Sequence, residues 1–322
     1  LIAEKILSGD WASHKGQSGS RFVNASVWGL MLTGRVVTLE DEITGDTASW
    51  MKRLVSSLGE PVVRKAVLQA MRIMGGQYVL GRSIEEAMQK GVADNHPNTR
   101  FSFDMLGEGA RTDADARRYF DAYADAIGRI VATENRQSVV AANGISVKLS
   151  ALHPRYEFRQ KQRVMAELLP RVKALALKAK SGGIGFSIDA EECDRLDISL
   201  DIFEALARDE ALAGWDGLGF VLQAYQKRAT HVARWLVALA AATGRRLMVR
   251  LVKGAYWDGE IKHAQEQGMA DYPVFTRKCH SDVSYQICAQ ILLAAQKEIF
   301  PQFATHNAHT VAMIRELTQG AK

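Results

Sequence analysis

Cysteine is scarce in this 322-residue sequence, and the three present, Cys193, Cys279 and Cys288, are odd in number and form no CxxC pair. That argues against a disulfide framework or a zinc knuckle and reads as reduced thiols. No apolar run approaches the roughly 18 residues that a membrane-spanning helix needs, and the first residues lack the basic-then-apolar pattern of a signal peptide. A cytoplasmic location is therefore expected. Internal repeats and low-complexity linkers are missing, as is any recognisable nucleic-acid module, and the basic residues are dispersed, so no nucleic acid is expected as a partner. The carboxylates come without a two-histidine spacing, so no metal is expected either. The sequence opens on Leu1 rather than Met, as a piece of a longer protein does, and a targeting segment upstream stays open.

What is present is the material of a soluble globular protein: 47% hydrophobic and 24% charged residues, enough for one large domain or two smaller ones. A net charge of +5 suits anionic ligands or an anionic membrane surface. Residues 1–95 carry helical spacing, as at Trp50, Leu54 and Leu58, with breaks at Gly59, Pro61, Gly75 and Gly76 and a short helix near Ser83 to Lys90. Asn24-Ala25-Ser26 before Trp28, Leu30 and Leu32 reads as a capped helix whose apolar face serves packing or a dimer contact. This stretch is expected to form a helical arm or linker, and residues 96–322 a second region.

From Phe101 onward short apolar runs alternate with longer amphipathic ones. Strands are expected at Phe101 to Leu106, Ile145 to Leu149, Ile184 to Ile188, Leu218 to Leu222, Leu247 to Leu251 and Phe300 to Ala304. Helices are expected at Asp113 to Val131, Gln160 to Ala179, Ile198 to Leu212, Gln226 to Ala242 and Ser281 to Lys297. Strict alternation makes a parallel sheet, and the α/β fold that most often extends it is the (βα)8 TIM-type barrel. Six strands fit before Lys322, so the sheet is expected to be open or to stop short of closure.

In a parallel barrel the site is assembled where the strands end. Here those ends are consistently polar: Asp104 and Glu108, then Lys148, then Asp189 with Glu191 and Glu192, then Gln223 and Tyr225, then Arg250, Lys253, Tyr256 and Trp257, then Thr305, His306 and Asn307. Singly each has a plain explanation: Asp189 as a helix cap, Lys148 as half of an ion pair, His306 as a satisfied core histidine. Together they would be costly to bury without a ligand, and an enzyme active site is the expected reading.

These segments also carry a resemblance. Phe101-Ser-Phe-Asp-Met-Leu-Gly-Glu108, Ile145 to Arg155, Ile188-Asp-Ala-Glu-Glu192, Gln223 to Arg228, Arg250 to Asp258 and Ala304 to Thr310, with Phe22-Val-Asn-Ala-Ser-Val-Trp28 in the arm, together resemble the proline dehydrogenase domain of the bifunctional flavoenzymes called proline utilisation A. The resemblance implies a (βα)8 barrel that holds FAD at its carboxyl rim, oxidises L-proline to pyrroline-5-carboxylate and passes electrons to a membrane quinone. It implies that Arg250, Val252, Gly254, Ala255 and Trp257 line the flavin, with Val221, Gln223, Lys253 and Asp189 beside them, and that Thr276, Arg277, Lys278, Thr305 and His306 hold its remote portions. Lys148 and Tyr256 match substrate-pocket positions, and Asp104 and Glu108 match supporting carboxylates. Implied partners are proline-like acids, an aldehyde dehydrogenase domain in the parent chain, a homo-oligomer and, peripherally, the inner membrane. The family's Tyr-x-x-Arg-Arg motif, whose arginines clamp the substrate carboxylate, does not occur in the sequence.

Two other readings stand beside this one. Lys148 or Lys253 at a strand end would also serve a Schiff-base aldolase or lyase on the same barrel. The chain would alternatively act as a dimerisation or scaffolding piece, for which residues 1–95 are the best candidate.

Overall fold

The computed structural model describes residues 79–93, 99–105, 109–134 and 138–320, together with Leu68, Gly75, Gly76 and Gly107. Glu108 and the arm features at Asn24 to Leu32 and Trp50 to Leu58 lie outside the described residues. The chain divides into two compact units, Leu1–Asp94 and Asn95–Lys322. In the first, helix α1 spans Ile84–Ala93, with Glu85 and Glu86 in its first turn and Lys90 in its last, each sign opposite to the helix dipole there.

The second unit alternates strand and helix. Its elements are β1 (Ser102–Asp104), α2 (Asp113–Thr133), β2 (Gly144–Val147), α3 (Leu149–Leu152), α4 (Lys161–Gly182), β3 (Gly185–Ile188), α5 (Leu196–Ala207), β4 (Leu218–Gln223), α6 (Ala229–Thr243), β5 (Leu247–Val252), α7 (Trp257–Glu266), α8 (Lys278–Ala294), β6 (Ile299–Phe303) and α9 (Ala308–Gly320). Local chemistry sets several boundaries. Thr112 and Asp115 form a reciprocal capping box at the start of α2, and Gly183, at φ +69°, ends α4 in a left-handed turn. The expected helix Ile198 to Leu212 is split because the Asp209 carboxylate accepts the Ala211 N–H at 2.9 Å and starts a separate 3₁₀ turn. Helices α7 and α9 were not among the expected elements.

All six strands pair in parallel in the order β1-β2-β3-β4-β5-β6, as a sheet curled into part of a barrel. Alternation along each strand separates two faces. Ile145, Val147, Phe186, Ile188, Phe220, Leu222, Val249 and Leu251 are almost wholly buried, and each contributes about 1.5–3 kcal/mol through burial of its side chain. The alternate positions are mostly small or polar, with Met248 and Phe300 the large apolar exceptions. Their register puts Asp104 opposite Ser146, Ser187 opposite Gly219, Val221 opposite Arg250 and Gly219 opposite Met248. A Cβ at Gly219 would lie 2.5 Å from the Ser187 hydroxyl, so glycine there makes room for its neighbours. Pro301, which has no N–H for a ladder, sits in β6 at the end of the strand order. The sheet therefore delivers its polar face to one lumen and its carboxyl ends to one rim.

Candidate active site

Lys148 follows β2 directly, and its ammonium lies between two carboxylates. It is 3.2 Å from Asp104 at the end of β1 and closer still to Asp189 after β3. Burial works against the Lys148 charge, but Asp189 first and Asp104 second reverse that and hold the ammonium above its ordinary pKa. Burial raises the Asp104 carboxyl, opposed by Lys148 and reinforced by Asp189. The Lys148 N–H donates to the Tyr123 hydroxyl at 3.3 Å. That buried phenol is pushed up to about 12 by desolvation. These groups are rigidly seated: Val147 and Leu149 on either side of Lys148 are fully buried.

A hydrogen-bonded belt joins five successive strand-end loops. The Gly109 N–H donates to the Ser150 hydroxyl at 3.1 Å, the Ser150 N–H to Glu191 at 3.0 Å, the Gln223 amide to the Glu191 carbonyl at 2.8 Å, and the Ala255 N–H to the Gln223 side-chain oxygen at 3.3 Å. Gln223 is 3% exposed, which makes both of its amide bonds structural necessities. Glu191 also pairs with Arg195 at 2.8 Å, and burial raises its carboxyl. The belt fixes the loops that frame the cavity.

That cavity holds about 710 Å³. It gathers Asp104, Lys148, Asp189, Val221, Gln223, Val252, Lys253, Gly254, Ala255, Tyr256, Lys278, Thr305 and His306, with Ala190, Ala304 and Asn307. Lys253 and Lys278 share Asp282, at 2.5 and 2.6 Å. Arg250 stands one layer deeper, in a neighbouring lumen cavity of about 380 Å³. There its guanidinium donates to Ser102 at 2.5 Å and to Gln302 at 3.3 Å, and burial lowers its pKa against the pull of Asp189 and Asp104. Trp257 is exposed at the start of α7, its indole N–H donating to the Phe275 carbonyl at 2.9 Å. Thr276 and Arg277 are exposed, with Arg277 immediately before α8 and making no side-chain capping bond, and neither lines the 710 Å³ cavity. Ser102, Gln302 and Tyr123 were not among the expected residues. The first two were reachable from period-two alternation, each lying two positions before a rim residue. Nothing local marked Tyr123, which arrives from a helix.

A curled parallel sheet with charged groups converging beyond its strand ends defines an enzyme of the (βα)-barrel class. The family model described as proline dehydrogenase matches residues 87–322, and this chain belongs to the proline dehydrogenase family. A second model, described as the DNA-binding domain of proline dehydrogenase, matches residues 1–78. This corrects the expectation that no nucleic acid partners this stretch, which rested on dispersed charge and a missing motif.

The chain is 52% identical over 317 residues to the bifunctional protein PutA of Klebsiella aerogenes, covering 98% of this chain and 24% of the relative. It is likewise 52% identical over 314 residues to the PutA of Rhizobium meliloti, covering 98% and 25%. It therefore spans about a quarter of the length of these relatives. A Bradyrhizobium japonicum proline utilisation A structure superposes with a TM-score of 0.74 at 51% identity, covering 99% of this chain and 32% of that one.

Proposed function

We propose that the chain carries out the FAD-dependent oxidation of L-proline to pyrroline-5-carboxylate, the first step of proline catabolism, with electrons passed to a quinone at the membrane surface. The observation that carries this reading is the convergence of the Lys148 ion-pair cluster and the small residues Val252, Gly254 and Ala255 on one cavity. No helix among the described residues is long and apolar enough to cross a membrane.

The donor set fits FAD. Val221, Val252, Gly254, Ala255 and Ala304 offer a floor of small apolar side chains for a planar ring, and the belt-held Gln223 amide stands beside it. Lys253 and Lys278 in the cavity wall, with Arg277 at the start of α8, supply the positive charge a pyrophosphate needs. Thr305 and His306 add hydrogen-bonding groups. When bound, FAD supplies the two-electron acceptor for the substrate C–H bond. The residues do the rest. Lys148 attracts the substrate carboxylate, Asp189 holds Lys148 in place, Tyr256 closes one wall, and Arg250 below the rim contributes positive charge that favours a more electron-rich ring. Glu108 is proposed as a supporting carboxylate.

The Schiff-base alternative needs a lysine that is readily deprotonated. Lys148 is held protonated by two carboxylates and Lys253 is paired with Asp282, so the same observation disfavours it. The test is proline-dependent reduction of a soluble quinone by the purified protein. Reduction that requires L-proline supports the reading, and its absence with bound FAD present contradicts it.

A further inference from the structure

The chemistry of the substrate leaves one task that none of the roles above performs. In water the ring nitrogen of a cyclic secondary amino acid is an ammonium. A hydride cannot leave the adjacent carbon until the nitrogen lone pair is free to form the C=N bond. A proton must therefore pass to the protein or to solvent first. Resting on the proposed reading of this site, we propose that Asp104 receives that proton.

The geometry favours Asp104 over its neighbours. While protonated, Lys148, Lys253 and Lys278 can donate but have no lone pair with which to accept a proton. Asp189 is the more occupied of the two carboxylates: one oxygen is bound closely by Lys148, the other accepts the Ala190 N–H at 3.0 Å, and its side chain is 20% exposed. Asp104 meets Lys148 more loosely, at 3.2 and 3.5 Å, and its side chain is 46% exposed toward the cavity it lines. A substrate carboxylate that takes Lys148 therefore displaces Asp104 more readily than Asp189. The carboxylate so released faces the ammonium carried by the same ligand.

The exchange balances. The substrate ammonium and the Asp104 carboxylate become a neutral amine and a carboxylic acid. With the lone pair free, the ring carbon could give up its hydride to the two-electron acceptor that bound FAD would supply, the lone pair becoming the second bond of the C=N product. Asp104 returns its proton to solvent before the next cycle. The charged groups acting on Asp104 are Lys148 and Arg250, which favour its anion, and Asp189, which with burial favours the acid. The rise in its pKa is the direction a proton acceptor needs.

The test uses the ring-oxygen analogue of proline, tetrahydrofuran-2-carboxylate, whose ring atom brings no proton. Asp104 must then enter the complex as the acid by taking a proton from solvent. Calorimetric titration in buffers of different ionisation enthalpy should show uptake of about one proton, with affinity falling about tenfold per pH unit above the Asp104 pKa. Asp104→Asn should bind the analogue without proton uptake and without that pH dependence, while kcat with proline falls on the order of a hundredfold or more. Asp104→Glu should restore part of both. Wild-type binding without proton uptake overturns the proposal alone and needs no variant to be read. So does an Asp104→Asn protein that turns over proline at the wild-type rate, or loss of the uptake on His306→Gln instead. Failure of the wild type to bind the analogue at any pH overturns both the proposal and the reading beneath it.

Discussion

Gly254 lies against the ring of Tyr225: a Cβ built on it would stand 2.4 Å from two ring carbons, and its φ is +143°. The same tyrosine donates its N–H to the Lys253 carbonyl at 2.7 Å. The loop after β5 therefore turns over an aromatic support, and only a residue without a side chain can make that turn.

Gly254→Ala is expected to cost about 1–3 kcal/mol from backbone conformation alone, with the steric clash in addition. Thermal denaturation should show a lowered Tm, and the flavin-to-protein ratio should fall with it. Tyr225→Leu in the same background should recover only the steric part. A Gly254→Ala protein with unchanged Tm would show that the loop relaxes freely.

Much of this arrangement was legible in the sequence. The six strands fall within a few residues of the expected runs because parallel strands buried on their helix-facing side read as short apolar segments. The rim residues followed from where those runs end. The depth of Arg250 did not. Its position in β5 puts it in register with Val221 and Gln302 rather than at the strand end, and the guanidinium reaches across the lumen to Ser102. Nor did the belt from Gly109 to Ala255, because hydrogen bonds between residues more than thirty positions apart leave no local pattern.

Lys148→Met should raise KM for proline about ten- to a hundredfold, the loss of one charged hydrogen bond worth roughly 1.5–3 kcal/mol. Asp104 and Asp189 would then face one another without their shared cation, and the variant should bind proline-like acids better as pH falls. Steady-state kinetics at two pH values would show both effects. A KM equal to that of the wild type would assign the carboxylate to other groups.

Arg250→Met should slow reduction of the flavin more than it weakens retention of FAD, since many other contacts are proposed to hold the cofactor. Single-turnover reduction by proline, set against the bound flavin content, separates the two. An unchanged reduction rate would count against a role for its charge.

Glu191 links acid chemistry to stability. Burial raises its folded-state carboxyl above the ordinary value of 4.5. In the window above that value the native state binds more protons than the unfolded chain, so this group's contribution is fully present below 4.5 and is lost as pH rises through the raised value. Glu191→Gln should flatten that part of the stability profile, as denaturant melts at several pH values would reveal. Parallel profiles would show that the carboxylate is ionised at no cost.

The cavity is proposed to hold FAD and to bring proline beside it. The most direct measurement is the absorbance spectrum of the purified protein before and after anaerobic addition of L-proline. An oxidised flavin band is expected that bleaches with L-proline, and bleaches more slowly with Lys148→Met at the same sub-saturating concentration. A protein that cannot be loaded with FAD, or whose flavin stays oxidised in saturating L-proline, would contradict it.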